Sequence, residues 1–97
     1  MNNLKLNGQL SFGIEAYERG LRLMVFDRDE VWVCHKVRVK VLKDFTQAEA
    51  GHLFKGRLQL DKDGDAIFVS VKGKKAGSIP AADLIQLINH QSMAQLA

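Results

Sequence analysis

The acidic string at residues 61–65, DKDGD, has the D-x-D-x-D spacing that opens a calmodulin-type calcium loop. That loop also needs a glycine at its sixth position and a bidentate glutamate at its twelfth, where this chain has Ala66 and Lys72. The flanking residues alternate as in strands, whereas the calcium loop joins two helices. We therefore predict a hairpin turn at Asp63-Gly64 and no specific metal site.

The histidines and the single cysteine do not have the spacing of a metal site or a catalytic dyad. His35, His52 and His90 lie far apart, without a pattern such as H-x-x-x-H. Cys34 and His35 are adjacent, and adjacent residues of a strand point to opposite faces. The chain contains no G-x-S-x-G, phosphate-binding glycine loop or C-x-x-C motif. We predict a protein without enzymatic activity and without a cofactor.

Cations interleaved with aromatic residues are the pattern most suited to binding. The predicted surface, on the outer face of a sheet and in one basic turn, comprises Arg22, Phe26, Trp32, Lys36, Arg38, Lys40, Lys74 and Lys75. Such a surface suits single-stranded nucleic acid, because cations neutralise phosphates while bases stack on aromatic rings. Nucleic acid is accordingly the first predicted ligand.

Two other interpretations use the same residues. The first is a solvated outer face, on which long basic side chains lie over apolar neighbours. The second is an apolar patch formed by Trp32, Phe26 and Met24, which a helix, a second subunit or a protein partner would cover. This second interpretation predicts a structural or adaptor protein.

These side chains depend on a strand for their position, and the clearest strand pattern is EVWVCHKVRVKVLK at residues 30–43. The residues predicted to face the core are Val31, Val33, His35, Val37, Val39 and Val41. The residues predicted to face outward are Trp32, Cys34, Lys36, Arg38, Lys40 and Leu42. A two-residue period over fourteen positions predicts one long strand with a single buried face. His35 is expected to be a hydrogen-bonded core residue.

The remaining elements follow from local signals. The alternation at residues 10–17 and 21–26 predicts a hairpin with its turn at Arg19-Gly20 and Ala16 opposite Leu23, although a helix at residues 14–24 is the alternative. Further expected pairs are Val25 with Val33, Leu23 with His35, Leu60 with Ile67, and Leu58 with Val69. The capping box Thr46-Gln-Ala-Glu49 predicts a helix start. A short strand at residues 77–79 and a helix opened by Pro80 complete the chain.

Composition bounds the protein class. The 97 residues are 46% hydrophobic and 26% charged, which predicts one globular domain over residues 1–97. No apolar stretch approaches the roughly 20 residues of a membrane span, so we expect a cytoplasmic protein without a membrane partner. The net charge of +3 is a mild basic excess. The predicted fold is α+β, βββα-ββ(β)α, with five or six antiparallel strands in one curved or barrel-like sheet and two short helices.

The C-terminal third contains an Asp followed by Ala-Ile-x-Val, a glycine turn and a Gly-x-hydrophobic-Pro segment before a helix. The residues of this motif are Asp63, Ala66, Ile67, Val69, Gly77, Ile79 and Pro80. In this respect residues 61–84 resemble HIRAN domains. The resemblance implies a compact β-rich module associated with DNA, often binding single-stranded ends. It also implies that Asp63 corresponds to the acidic ligand contact of that family.

Overall fold

The computed structural model describes residues 3–96, with side chains as far as Gln91. The strands are β1 (Leu4–Lys5), β2 (Leu10–Tyr17), β3 (Gly20–Asp27), β4 (Glu30–Val37), β5 (Ala50–Leu53), β6 (Leu58–Asp63), β7 (Ala66–Val71) and β8 (Lys74–Pro80). The helices are α1 (Val39–Gln47) and α2 (Ala81–Leu96).

The strands form two separate four-stranded antiparallel sheets. Sheet 1 has the order β1-β2-β3-β4 and sheet 2 the order β5-β6-β7-β8. The predicted α+β class and antiparallel pairing are present, but the prediction of one curved or barrel-like sheet of five or six strands is wrong. Helix α1 separates β4 from β5, and each sheet pairs only strands that are consecutive in the chain. The two short strands β1 and β5 have too few residues to show an alternating pattern.

The predicted long strand over residues 30–43 is also wrong in its second half, because β4 ends at Val37 and α1 begins at Val39. The first residues of the segment VKVLKDFTQ fit both the two-residue period of a strand and the 3.6-residue period of a helix. As a helix it buries Leu42, Phe45 and Thr46 together, and it leaves Val41 exposed. The helical period prevails because it places Leu42 and Phe45 in the core, which a continued strand would have divided between two faces.

The capping-box prediction is wrong for a related reason. Thr46 lies in the last turn of α1, and its hydroxyl donates a hydrogen bond to the Lys43 carbonyl at 2.7 Å. Residues 50–53 form β5, with Ala50 opposite Asp63 and Leu53 opposite Leu60. The favourable pairing with β6 therefore overrides a local helix-start signal.

The hairpin between β3 and β4 has the predicted register, with Val25 opposite Val33 and Leu23 opposite His35. The other two predicted registers are wrong by one turn residue each. The β2–β3 turn is Glu18-Arg19, which pairs Ala16 with Leu21, and the β6–β7 turn is Gly64-Asp65, which pairs Leu60 with Val69 and Leu58 with Val71. Since each partner moves by two residues, the same side chains still face the core.

A single cluster of buried residues connects the sheets and helices. Its largest fully buried members are Phe12, Leu21, Leu23, Leu42, Leu58, Leu60, Ile67, Leu84 and Ile88. In α2 the apolar residues Leu84, Leu87 and Ile88 are buried, and the helix starts directly after Pro80, as predicted. His35 is half-buried, and its ring lies 3.9 Å from that of Phe54, centroid to centroid.

The two halves of the chain share one topology, four antiparallel strands followed by a helix. In each half the first two-residue turn has positive φ at its first residue, Glu18 or Gly64, and the second turn has it at both residues, Arg28-Asp29 or Lys72-Gly73. Each half also has a bulge at the equivalent place, opposite Val25/Phe26 and Val69/Ser70. The fold is thus internally duplicated although the paired residues differ in type.

Candidate functional site

The strongest concentration of positive charge lies at the end of sheet 1 near the β2–β3 turn. Arg22 on β3 pairs directly with Lys36 on β4, and Tyr17 is the last residue of β2. The Lys36 ammonium lies 4.5 Å from the centroid of the Tyr17 ring, and the Arg22 guanidinium carbon lies 5.5 Å from it. Both distances are within the range of a cation–π interaction. Tyr17 therefore holds two cations at a fixed place on the sheet surface.

A groove of about 610 Å³ beside Tyr17 is lined by four cations, Lys36 and three more. Arg19 comes from the β2–β3 turn, and Arg38 and Lys40 come from the junction between β4 and α1. We refer to Arg19, Arg22, Lys36, Arg38 and Lys40 as the basic cluster. The predicted association of Arg22, Lys36, Arg38 and Lys40 thus appears in the structure, although Lys40 lies on a helix and not on the predicted strand.

Gly20 explains how closely the turn approaches the start of α1. A Cβ atom built on Gly20 would lie only 2.7 Å from the Val37 carbonyl oxygen, closer than real Cβ contacts. Any larger residue would have to move the backbone of β3 away from β4. The absence of a side chain at this position keeps Arg19 beside Arg38.

Two carboxylates reduce the charge of the cluster. Glu15 forms an ion pair with Arg22, and Glu18 lines the groove. Since Glu15 lies opposite Arg22 on neighbouring strands, the pair is a cross-strand contact on the outer face of sheet 1. Five cations against two carboxylates leave a clear excess of positive charge. The groove is suited to an anion.

The predicted aromatic members lie elsewhere. Phe26 is half-buried at the opposite end of β3, and Met24, which we predicted to face outward, is only 6% exposed. Trp32 is 39% exposed but lies four residues from Lys36 along β4, about 13 Å at the usual rise of a strand. Lys74 and Lys75 are exposed on β8 of sheet 2. The sequence-predicted surface is therefore divided between separate parts of the molecule.

The bulge in β4 determines the position of Trp32. Val31 pairs with Phe26 and Val33 with Val25, so Trp32 has no direct partner in the ladder. Its ring lies 5.5 Å from the Lys72 ammonium in the β7–β8 turn, and Arg57 lines a small cavity with it. The same bulge places Val31, a predicted core residue, at 50% exposure. Trp32 thus belongs to the junction of the two sheets.

Tyr17 and Arg19 are functional candidates that our sequence reasoning missed. The available signal was the alternation in β2, which places Tyr17 on the same face as Glu15. Arg19 was interpreted as a turn residue, and only the observed turn at Glu18-Arg19 brings it to the groove.

The acidic string does not gather its carboxylates into one site. Asp61 and Asp63 lie on β6, and Asp65 follows Gly64 in the turn. The φ angle of Gly64 is 61°, a value that glycine adopts without strain. Asp63, the residue implied by the HIRAN resemblance, pairs with Ala66 on sheet 2 and lies outside the basic cluster. Within residues 3–96 we find no group of three or more His, Cys, Asp or Glu side chains that could hold a metal ion.

His52 and Asp61 form a hydrogen-bonded pair on the outer face of sheet 2. The distance from His52 Nδ1 to an Asp61 carboxylate oxygen is 2.5 Å, and both side chains are well exposed. The hydrogen bond that His52 donates to the Asp61 carboxylate, together with the negative charge of Asp61, raises the pKa of His52 above the ordinary value of 6.5, against opposing effects of desolvation and Lys55. The pair is therefore charged over a wider pH range than an isolated histidine would be.

We expect an NMR titration to place the pKa of His52 above 6.5 and to show a decrease in the Asp61→Asn variant. Because the folded-state pKa is raised, the stabilising effect of the pair is fully present below the unfolded-state pKa. It is lost as the pH rises through the folded-state value. Asp63→Asn is the matched control and should leave the His52 titration unchanged. An unshifted titration in Asp61→Asn would contradict the assigned cause.

Comparison with known proteins found no match to a family model, a curated protein or a solved structure. Among the described residues, neither helix is long and apolar enough to cross a membrane.

Proposed function

We propose that this protein is a non-catalytic binding protein that holds single-stranded nucleic acid at the basic cluster. The observation that supports this most directly is the groove beside Tyr17, which is lined by four cations and has a fifth, Arg22, next to it at the Tyr17 ring. Phosphate groups dominate the affinity of proteins for nucleic acids, and cations arranged in a groove can follow a phosphate backbone. The cytoplasmic location that we predicted from the sequence agrees with this function.

Single strands fit this site better than duplexes because of the aromatic ring. Unpaired bases can stack on aromatic or guanidinium planes, whereas the bases of a duplex are stacked on each other and shielded. In this groove the half-exposed Tyr17 ring lies directly beneath the Lys36 and Arg22 cations. A nucleotide bound there would meet cations and a ring together. The resemblance to HIRAN domains, which associate with DNA, makes single-stranded DNA the first probe.

The alternative proposal is a protein partner or a second copy of the chain bound through Trp32, Phe26 and Met24. It has less support, because Met24 is almost fully buried and Phe26 is half-buried. Trp32 and Val31 remain exposed at that edge. Light scattering, which measures the molar mass in solution, distinguishes nucleic-acid binding from self-association. A protein that is monomeric and binds an oligonucleotide would contradict self-association.

The ion pair between Glu15 and Arg22 allows a test in which binding increases. Phosphate must compete with Glu15 for Arg22, and an exposed ion pair is worth up to about 1 kcal/mol. We therefore expect Glu15→Gln to strengthen binding of a fluorescein-labelled oligothymidylate by about 2- to 5-fold in fluorescence anisotropy. A gain of affinity cannot result from partial unfolding.

Glu49→Gln is the matched control, because it makes the same charge change at an exposed residue between α1 and β5. The control should increase affinity by less than Glu15→Gln does at the same salt concentration. Equal gains would mean that only net charge matters and that Arg22 is not at the binding site. Wild-type protein without salt-sensitive binding at micromolar concentration would refute the proposed function.

A further inference from the structure

The outer face of sheet 2 has one exposed aromatic residue at its centre. Phe68 lies on β7 between Ile67 and Val69, both fully buried, and it is 40% exposed. β7 is an inner strand, flanked by β6 and β8. Because successive side chains of a strand point to opposite faces, Phe68 points away from the core and does not contribute to core packing. Single exposed hydrophobic residues are common on protein surfaces, so the case for a ligand contact depends on the groups around Phe68.

Phe68 is surrounded by groups that form hydrogen bonds. One row across the four strands is His52, Asp61, Phe68 and Ser78, each opposite the next. The neighbouring row is Gln59, Ser70 and Lys75. The row on the other side is Ala50, Asp63, Ala66 and Pro80. The ring therefore lies between a polar row that contains a cation and a mainly apolar row that contains one carboxylate.

A second copy of the chain is a poor occupant for this face. Stable interfaces bury roughly 800 Å² on each partner and have an apolar core. Among the described side chains the large exposed hydrophobic residues are Val31, Trp32, Val41, Phe68 and Ile85, and of these only Phe68 lies on β5–β8. Asp61 and His52 would also have to be desolvated at the centre of such an interface.

A nucleobase fits the same surroundings better. It offers a flat π-face for the ring and polar edges for serine and glutamine side chains. Lys75 is exposed on β8, and Arg57 is exposed directly before β6. Their positive charges can neutralise the phosphates on either side of the base. Asp61 accepts a hydrogen bond from His52, and the imidazole counters its negative charge when it is protonated, which the raised pKa of His52 favours.

We infer that the outer face of sheet 2 holds a second base-stacking site centred on Phe68, for the same single strand that binds the basic cluster. This inference rests on the proposed function and extends it to the second sheet. In the duplicated fold, Phe68 lies on the third strand of its sheet between Asp61 and Ser78. In sheet 1, Arg22 lies on the third strand between Glu15 and Lys36.

A path of cations and aromatic residues connects the two sites. From Lys36, β4 leads to Trp32, which lies beside Lys72 and shares a cavity with Arg57. From Arg57, β6 leads to Asp61, the partner of Phe68. Each of these two steps covers four residues, about 13 Å along a strand. Only an oligonucleotide longer than the minimum for one site can therefore reach both.

The test compares Phe68→Leu with wild-type protein, using two labelled oligothymidylates. One has about 5 nucleotides, near the lower end of the usual single-strand site size of about 4 to 16 nucleotides, and the other has about 20, above its upper end. Leucine retains apolar volume at an exposed position, so the variant should fold, which a thermal melt verifies. We expect the affinity for the long strand to decrease by roughly 5- to 150-fold, the effect of one lost stacking contact. The short strand should bind with nearly unchanged affinity. Phe68→Tyr retains the ring and should bind both strands as the wild type does.

The outcomes separate this inference from the proposed function. If Lys36→Glu with Lys40→Glu removes binding while Phe68→Leu leaves the long strand unaffected, the Phe68 site is refuted and the basic cluster stands. If Phe68→Leu weakens the long strand while the double variant does not, the Phe68 site stands and the basic cluster is refuted. The inference would also be refuted if the wild-type protein formed a dimer and the Phe68→Leu variant were monomeric. In titrations with the long strand, backbone amides of β7 should shift in NMR spectra.

Discussion

The double variant Lys36→Glu, Lys40→Glu is expected to bind single-stranded DNA more weakly than about 1 mM, which removes measurable binding. The two lysines line the same groove from β4 and from α1, so the change replaces two phosphate contacts by two repulsive charges. Sequence-independent binding at physiological salt has a Kd of only about 10⁻⁴ to 10⁻⁶ M, so little affinity is available to lose. At low salt, where residual binding is measurable, the slope of log K against log salt should become less steep by about 1.4, or about 0.7 for each lost contact.

The matched control is Lys5→Glu, Lys55→Glu, which also lowers the net charge from +3 to −1. Both of these lysines are exposed, and neither lines the groove beside Tyr17. The control should retain the wild-type salt slope and lose affinity only through the general field of the protein. If both double variants lost affinity equally, binding would depend on net charge and the basic cluster would not be a site.

The largest expected effect on stability concerns Lys62, a lysine that is only 8% exposed. Its ammonium group donates hydrogen bonds to the carbonyl oxygens of Ala48 and Gly64, the latter at 2.6 Å. It thus connects the end of α1 to the β6–β7 turn. Hydrogen bonds to charged groups contribute about 1.5 to 3 kcal/mol each. We expect Lys62→Met to lower the free energy of unfolding by about 2 to 3 kcal/mol, less than the sum of two such bonds because methionine has no ammonium group to desolvate. The melting temperature should fall by roughly 10 to 20 °C.

Lys55→Met is the control for this experiment, because Lys55 is exposed and the chemical change is identical. It should change the free energy of unfolding by no more than about 0.5 kcal/mol. Methionine retains most of the apolar stem of Lys62, so any difference between the two variants reports the ammonium hydrogen bonds. Equal melting temperatures of Lys62→Met and the wild type would show that the two carbonyl groups are satisfied by water.

Much of the strand content was predictable because alternation is strong where one face is buried. The pairing of Leu23 with His35 and of Val25 with Val33 follows from apolar residues that must share a face. The same argument placed the hairpin turns within one residue of their positions. Four of the five members of the basic cluster were also candidates from sequence alone.

The division into two sheets was not predictable from the same signals. Residues 39–42 satisfy a strand period and a helix period at once, and no turn residue marks the end of β4 at Val37. Residues 50–53 lack the β-branched and aromatic residues typical of strands, yet they pair with β6. In both segments the available partner decided the conformation.

The sequence by itself determined which residues face inward at most strand positions, with Met24 and Val31 as exceptions. It also determined the mild basic charge and the absence of a calcium-loop pattern. These are properties of a single backbone segment, since successive side chains of a strand point to opposite faces whatever the strand pairs with. Only the tertiary structure decided that Trp32 leaves the sheet surface for the sheet junction, and that Tyr17 and Arg19 join Lys36 and Lys40. The physical reason is that bulges, turn positions and helix starts depend on contacts between distant segments, whose free energies exceed the small local preferences of the residues themselves.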